Sequence, residues 1–339
     1  MKERGVINME TLRNELYDAV EKINNGYKMN EYESEMFLEA SMYFLHMFGN
    51  DPKLVEARHK VDFPEKGYDE TIEKCKKFSD VIKPKFSEIL CNIDVDRDLD
   101  DEYLGDIVDM KIDILKFYKG FDRKHYKLIQ GLVLDHKRCS VEGYTFVPNN
   151  GISKIVASSI RYNGKNYVYT TAKDGDYQYS SGPFKMFTYA TMVHELGHII
   201  DFNYRDLRKK PWSAFCETIP YTAEFSYLGV NNNSLESAKI YFPFLNFMAM
   251  ILKTLDEREF ESHEVKYYFY IVGYSIGLYL SHLYRTNIIK FRFYYNLLKK
   301  NVYVKDDKLI NMFLNDEDFI KMDYLKQDIS RNKKILLKA

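Results

Sequence analysis

The sequence is poor in the features that most often announce a function. It has one Trp against 29 Tyr and 23 Phe, 8 Pro, and only 4 Cys in 339 residues. Cys75, Cys91, Cys139 and Cys216 form no CxxC pair, so neither a zinc ribbon nor a disulfide scaffold is expected. The 49 basic and 50 acidic side chains nearly cancel. A chain-wide basic field for nucleic acid or an anionic membrane is therefore excluded. No glycine-rich phosphate loop, nucleophile elbow or nucleotide fingerprint is present. The most apolar stretch, Phe269 to Tyr284, is short for a membrane span and is interrupted by Gly, Ser and His. The charged N-terminus lacks an apolar run of signal-peptide length, which leads us to expect a cytoplasmic protein with reduced thiols and no membrane partner.

What is present is helical periodicity. Residues 8 to 140 show apolar positions at three- and four-residue spacing, interrupted at Pro84, and read as an N-terminal helical lobe spanning 1–140. Between 141 and 172 the sequence turns β-branched and Tyr-rich. Asn163-Gly164 lies between two such runs and predicts a hairpin, with a strand over Tyr167 to Thr171. Helical spacing returns near Phe184 and continues to the end. The expected fold is mainly α, with a small sheet just before a central helix at about 184–202, and residues 141–339 forming one catalytic region.

That helix contains His194-Glu195-Leu196-Gly197-His198, an HExxH. Residues four apart on a helix stand one above the other, so the two imidazoles can bind one zinc ion. Glu195 lies beside the first ligand and suits a general base that deprotonates water. The flanks Met192, Val193, Ile199 and Ile200 are apolar, which predicts a helix buried on most sides. Two histidines and a glutamate so buried need partners.

A catalytic zinc needs a third protein ligand and an open position. Glu217 follows His198 with 18 residues between, and Glu224 lies two turns further along the same face. One is the expected ligand, with Glu217 preferred. The other would orient a ligand imidazole. Asp201, seven residues after His194, is either a second such acceptor or a solvated acid. Further on, His263, Tyr267, Tyr270 and Tyr274 follow a 4-3-4 spacing and form one helical stripe. Such a stripe can donate hydrogen bonds to an oxyanion or can be a Tyr-rich core face. His46, His59, His125, His136 and His282 show no metal spacing.

Three segments together resemble a family. HELGH at 194 to 198, ETIPYTAE at 217 to 224 and HEVKYYFYIVGYSIG at 263 to 277 look like the site segments of the oligoendopeptidase F and thimet oligopeptidase family of zinc metallopeptidases. The resemblance covers roughly residues 150 to 330. It implies a helical, two-lobed gluzincin with one zinc ion, held by His194, His198 and Glu217, with Glu195 as general base. It further implies that Tyr267 and Tyr274 stabilise the oxyanion and that His263 binds substrate. Gly197 matches the glycine that lets another backbone approach. Tyr167 and Tyr169 lie on the segment that resembles the family's edge strand, along which an extended peptide lies, and Tyr270 joins them at the substrate. The His198 to Glu217 interval is several residues shorter than in the usual member, and the chain is shorter too.

The expected function is a zinc-dependent endopeptidase acting on oligopeptides in the cytoplasm. Two other readings stay open. A zinc carboxypeptidase would need a cation for the terminal carboxylate, for which Arg285 is the candidate; a dedicated protease would have one protein target. A non-catalytic zinc protein would close its site with a fourth ligand such as Cys216 or Glu224.

Overall fold

The computed structural model describes residues 10–48, 51–61, 68–90, 107–135, 138–142, 157–171, 184–204, 213–230, 235–257, 267–300 and 305–338. The described chain is mainly α-helical with one small sheet. It divides into two compact units. One comprises residues 1–66, 104–174 and 207–211, and the other the remainder.

The first unit holds helices α1 (Glu10–Asn24), α2 (Glu31–Phe48), α3 (Pro52–His59), α5 (Ile107–Phe121) and α6 (Tyr126–Val133), and strands β1 (Cys139–Glu142), β2 (Ala157–Tyr162) and β3 (Lys165–Thr171). Asp51 caps α3, its Oδ1 accepting from the Lys53 and Leu54 amides. The predicted hairpin forms between β2 and β3, with Asn163 at φ 47° and Gly164 at φ 72°. Both turn residues occupy the left-handed region that Asn-Gly tolerates, which matches strand twist. Ile160, Tyr162 and Tyr167 fall on the inner face and bury with Leu12, Leu16, Phe37 and Leu54 of the helices.

Two expectations are corrected here. β3 is not an edge strand. The sheet order is β1-β3-β2, with β1 parallel to β3 and β2 antiparallel to it. Both sides of β3 are hydrogen-bonded where these strands run, so no peptide can add there. The boundary near residue 140 also differs. The sheet belongs to the first unit because its apolar face is covered by α1 and α2.

The second unit contains α4 (Tyr68–Leu90), which the same expectation had placed in the N-terminal lobe. Helix α4 runs through Pro84 without ending there. Its buried Ile72, Phe78, Ile82 and Phe86 hold it in place, and burying such side chains is worth roughly 1.5–3 kcal/mol each, enough to offset one lost helical hydrogen bond. The unit also holds α7 (Phe184–Tyr204), α8 (Thr218–Val230), α9 (Leu235–Glu257), α10 (Tyr267–Thr286), α11 (Ile288–Lys299), α12 (Asp306–Leu314), α13 (Glu317–Lys321) and α14 (Asp323–Leu336). Helix α10 is buried at nearly every position from Phe269 to Leu283, and α8 lies between it and α7. Among the described residues, no helix is long and apolar enough to cross a membrane.

Candidate metal centre

Helix α7 carries the HExxH and is apolar around it. Met192, Val193, Leu196, Ile199 and Ile200 are all at most 1% exposed. The His194 and His198 rings stand one turn apart with centroids 5.0 Å from each other. Glu195 and Asp201 are buried on the same helix. Such burial of titratable groups is costly unless they meet partners.

The partners come from α8 and the turn before it. Gly197 makes this possible: a Cβ there would fall 2.6 Å from the Pro220 Cα, so only glycine lets α8 lie so close to α7. On the other side, a Cβ at Gly273 of α10 would fall 2.5 Å from the Glu217 Cβ, and one at Gly277 would fall 2.7 Å from the Tyr221 Cβ. Glu217 stands immediately before α8, and its carbonyl accepts the Tyr221 amide at 3.1 Å. The turn that delivers it is anchored by Asp306 at the start of α12, which accepts the Ala214 amide at 3.2 Å.

The donors converge. Glu217 Oε2 lies 3.3 Å from His194 Nε2 and 3.5 Å from His198 Nε2. The three ligand atoms lie within 4.8 Å of one another. Zinc–ligand bonds of about 2.0–2.1 Å at tetrahedral angles put neighbouring ligand atoms about 3.3–3.4 Å apart. Two imidazole nitrogens and a carboxylate oxygen at this spacing can hold a metal ion. Among the described residues this group has three members, and neither Cys216 nor Glu224 belongs to it.

Glu224 instead meets the other side of His194, its Oε2 lying 3.0 Å from Nδ1. An ionised carboxylate only accepts, so Nδ1 carries the hydrogen and Nε2 is left as the nitrogen facing Glu217. Burial alone would lower the His194 pKa. The charges and hydrogen bonds of Glu224 and Glu217 outweigh it, and the metal-free imidazole is held protonated well above its ordinary value. Burial pushes the Glu224 carboxyl up, an effect that His194 opposes.

The stripe on α10 is only partly as expected. Tyr267 and Tyr270 are half-buried. Burial and the nearby charges of Glu217 and Glu195 push the Tyr270 hydroxyl upward, so it stays a neutral donor. Tyr274 is 1% exposed, with its ring 4.0 Å from that of Tyr221 and its hydroxyl paired with the Tyr221 hydroxyl. His263 lies outside the described residues. In the first unit Tyr167 is 1% exposed and its hydroxyl donates to Glu15 at 3.2 Å, so that side chain belongs to the core and does not face a substrate. The Tyr169 backbone lies in central β3, paired with Ser140 and Ser158; its side chain is outside the described set. Asp201 stays on α7, while the Nδ1 partner of His194 is Glu224.

Arg285 is an interhelical pair residue. Its guanidinium donates to Asp328 of α14 and lies against Gly229 at the end of α8. His282 meets the same aspartate at 3.3 Å.

Tyr221, Asp306, Gly273 and Gly277 are the contributors that sequence reasoning missed. The first had a signal, since Glu217, Tyr221 and Glu224 follow a 4-3 spacing on one stripe. Compared with models of protein families, with curated proteins and with solved structures, the chain matches none.

Proposed function

We propose that the protein is a zinc metalloendopeptidase that hydrolyses peptide bonds in oligopeptides. The observation that carries this reading is the convergence of His194 Nε2, His198 Nε2 and Glu217 Oε2, with Glu195 on the helix of the two histidines. On this reading the two compact units are the two lobes of the enzyme.

The fit rests on donor chemistry and spacing. His194, His198 and Glu217 would hold the ion, and three protein ligands suit a catalytic rather than a closed structural site. Zinc, when bound there, supplies a Lewis acid for a carbonyl oxygen and makes water more acidic. The remaining work falls to side chains. Glu224 holds the His194 ring in one tautomer through Nδ1. The Glu195 carboxylate takes the proton from the attacking water and delivers it to the leaving amine nitrogen. Tyr270, with Tyr267 one turn before it, offers a neutral phenol to the developing oxyanion. Tyr274 supports that stripe from the buried side.

The cation considered for the carboxypeptidase alternative, Arg285, donates instead to Asp328. The closed-site alternative lacks its fourth ligand among the described residues.

The test is cleavage of a quenched fluorescent peptide library by the zinc-loaded chain and by Glu195→Gln. Cleavage by wild type alone, at internal bonds, supports the reading. Equal cleavage by both proteins would remove Glu195 from the chemistry. Metal bound without any cleavage would favour a site that only binds.

A further inference from the structure

We infer that Tyr221 is a positioning residue for the metal centre: its ring fixes the plane of the His194 imidazole and thereby sets metal affinity. The inference rests on the metal reading above.

The ring packs T-shaped against His194, with centroids 4.4 Å apart and planes at 68°. Residues 217, 221 and 224 follow a 4-3 spacing from the turn before α8 into the helix, so Tyr221 stands in the stripe between the two residues whose carboxylates meet His194. Glu217 faces Nε2 at 3.3 Å and Glu224 faces Nδ1 at 3.0 Å. Two point contacts at opposite nitrogens leave the imidazole free to rock about the line joining them. A flat ring against its face or edge removes that freedom.

The ring is itself held. Tyr221 is 6% exposed. Gly273 and Gly277 press on it from α10: a Cβ at the first would fall 2.9 Å from its Cδ2, and one at the second 2.7 Å from its Cβ. Phe225, four residues on, stacks nearby at 5.9 Å and 24°. The hydroxyl pairs with that of Tyr274 on the α10 stripe. A chain of contacts therefore runs from the tyrosine helix through Tyr221 to a ligand imidazole. Its shape depends on glycine at two positions of α10. Outer contacts of ligating histidines affect metal affinity by roughly 10–100-fold. A shape contact replacing a hydrogen bond belongs at the lower end of that range.

The experiment compares wild type with Tyr221→Phe, Tyr221→Met and Tyr221→Leu, using Phe242→Leu as a control. Phe242 is fully buried on α9 of the same unit. Two quantities are read: zinc affinity by competition with a chromophoric chelator, and the visible absorption spectrum of the cobalt-substituted chain, which reports ligand geometry. The expected result is wild-type affinity and spectrum for Tyr221→Phe, which keeps the ring. Tyr221→Met and Tyr221→Leu should lose roughly tenfold in affinity and shift the cobalt spectrum. Phe242→Leu should lower the Tm yet leave both readouts unchanged. If Tyr221→Leu does not fold, Tyr221→Met, whose flexible unbranched side chain adapts better to the gap, decides. Wild-type affinity and spectrum in the Met variant would overturn the inference while leaving the metal reading intact. No metal binding by wild type would overturn both.

Discussion

Gly197 of α7 lies against Pro220 of α8 so closely that a Cβ on the glycine would fall 2.6 Å from the Pro220 Cα and 3.0 Å from its nitrogen. That approach brings Glu217, three residues before the proline, to the two imidazoles. The metal centre is therefore a property of helix separation as much as of ligand identity. Gly197→Ala must push two backbones apart, because neither neighbouring atom is the end of a flexible side chain. We expect stability to fall by the roughly 1–3 kcal/mol typical of overpacking, seen as a lower Tm, together with weakened metal binding. Calorimetry and a zinc titration on the same sample check both. A fall in Tm with unchanged affinity would show that the ligands tolerate the displacement.

Glu224 and Glu217 separate by role. Glu217→Gln should weaken metal binding severely, because the anionic carboxylate donor is replaced by a neutral amide oxygen. Glu224→Gln keeps an acceptor for His194 Nδ1, and should retain most of the affinity. Glu224→Ala should lose roughly 10–100-fold. Equilibrium competition with a chelator ranks the three. An order with Glu224→Gln weakest would exchange the roles assigned to the two acids.

The tyrosine stripe makes a kinetic prediction. Tyr270→Phe removes a neutral donor near Glu195 and Glu217 and should lower kcat by about 10²–10³ with little change in KM. Tyr274→Phe removes a hydroxyl buried inside the protein and should cost less in kcat. Steady-state kinetics on one cleaved peptide compare them, and the reverse ranking would move the oxyanion donor to Tyr274.

Asp316 provides a pH test of the fold away from the site. Its carboxylate accepts from the Tyr279 hydroxyl at 2.8 Å and from the Tyr294 hydroxyl, pairs with Lys290 at 3.0 Å, and caps α13. Burial alone would raise its pKa, but these partners overcome that and hold it below the ordinary carboxylate value. A carboxyl whose folded pKa is lowered contributes stability above its unfolded pKa and loses it as pH falls through the folded value. The Tm advantage of wild type over Asp316→Asn should therefore be full at neutral pH and shrink below about pH 4. A gap independent of pH would mean that the charge on Asp316 contributes nothing.

Different parts of this molecule were legible in the sequence to different degrees, for physical reasons. The HExxH helix, its buried flanks and the Asn163-Gly164 hairpin are local: spacing of three to four, or a dipeptide that favours positive φ, settles them within one element. The pairing of Glu217 with the imidazoles and Glu224 with Nδ1 is half local. The seven-residue spacing of Glu217 and Glu224 offered two acids on one stripe, but only the Gly197–Pro220 approach decides which faces Nε2. The misplacement of β3 at an edge has a non-local cause. Cys139 to Glu142 joins it in parallel register with Val168 to Thr171, and parallel pairing across so long a connection leaves no short-range signal. The unit boundary was missed for the same reason, since the helical period of α4 does not say which neighbours its apolar face meets.

The central claim is that His194, His198 and Glu217 together hold one metal ion. The most direct measurement is the metal content of the purified chain, read by elemental analysis for wild type and for the His194→Ala, His198→Ala and Glu217→Ala variants, each shown to be folded by circular dichroism. The account predicts one zinc per wild-type chain and little or none in each variant. Wild type without metal after incubation with zinc, or a full equivalent retained by the folded variants, would contradict it.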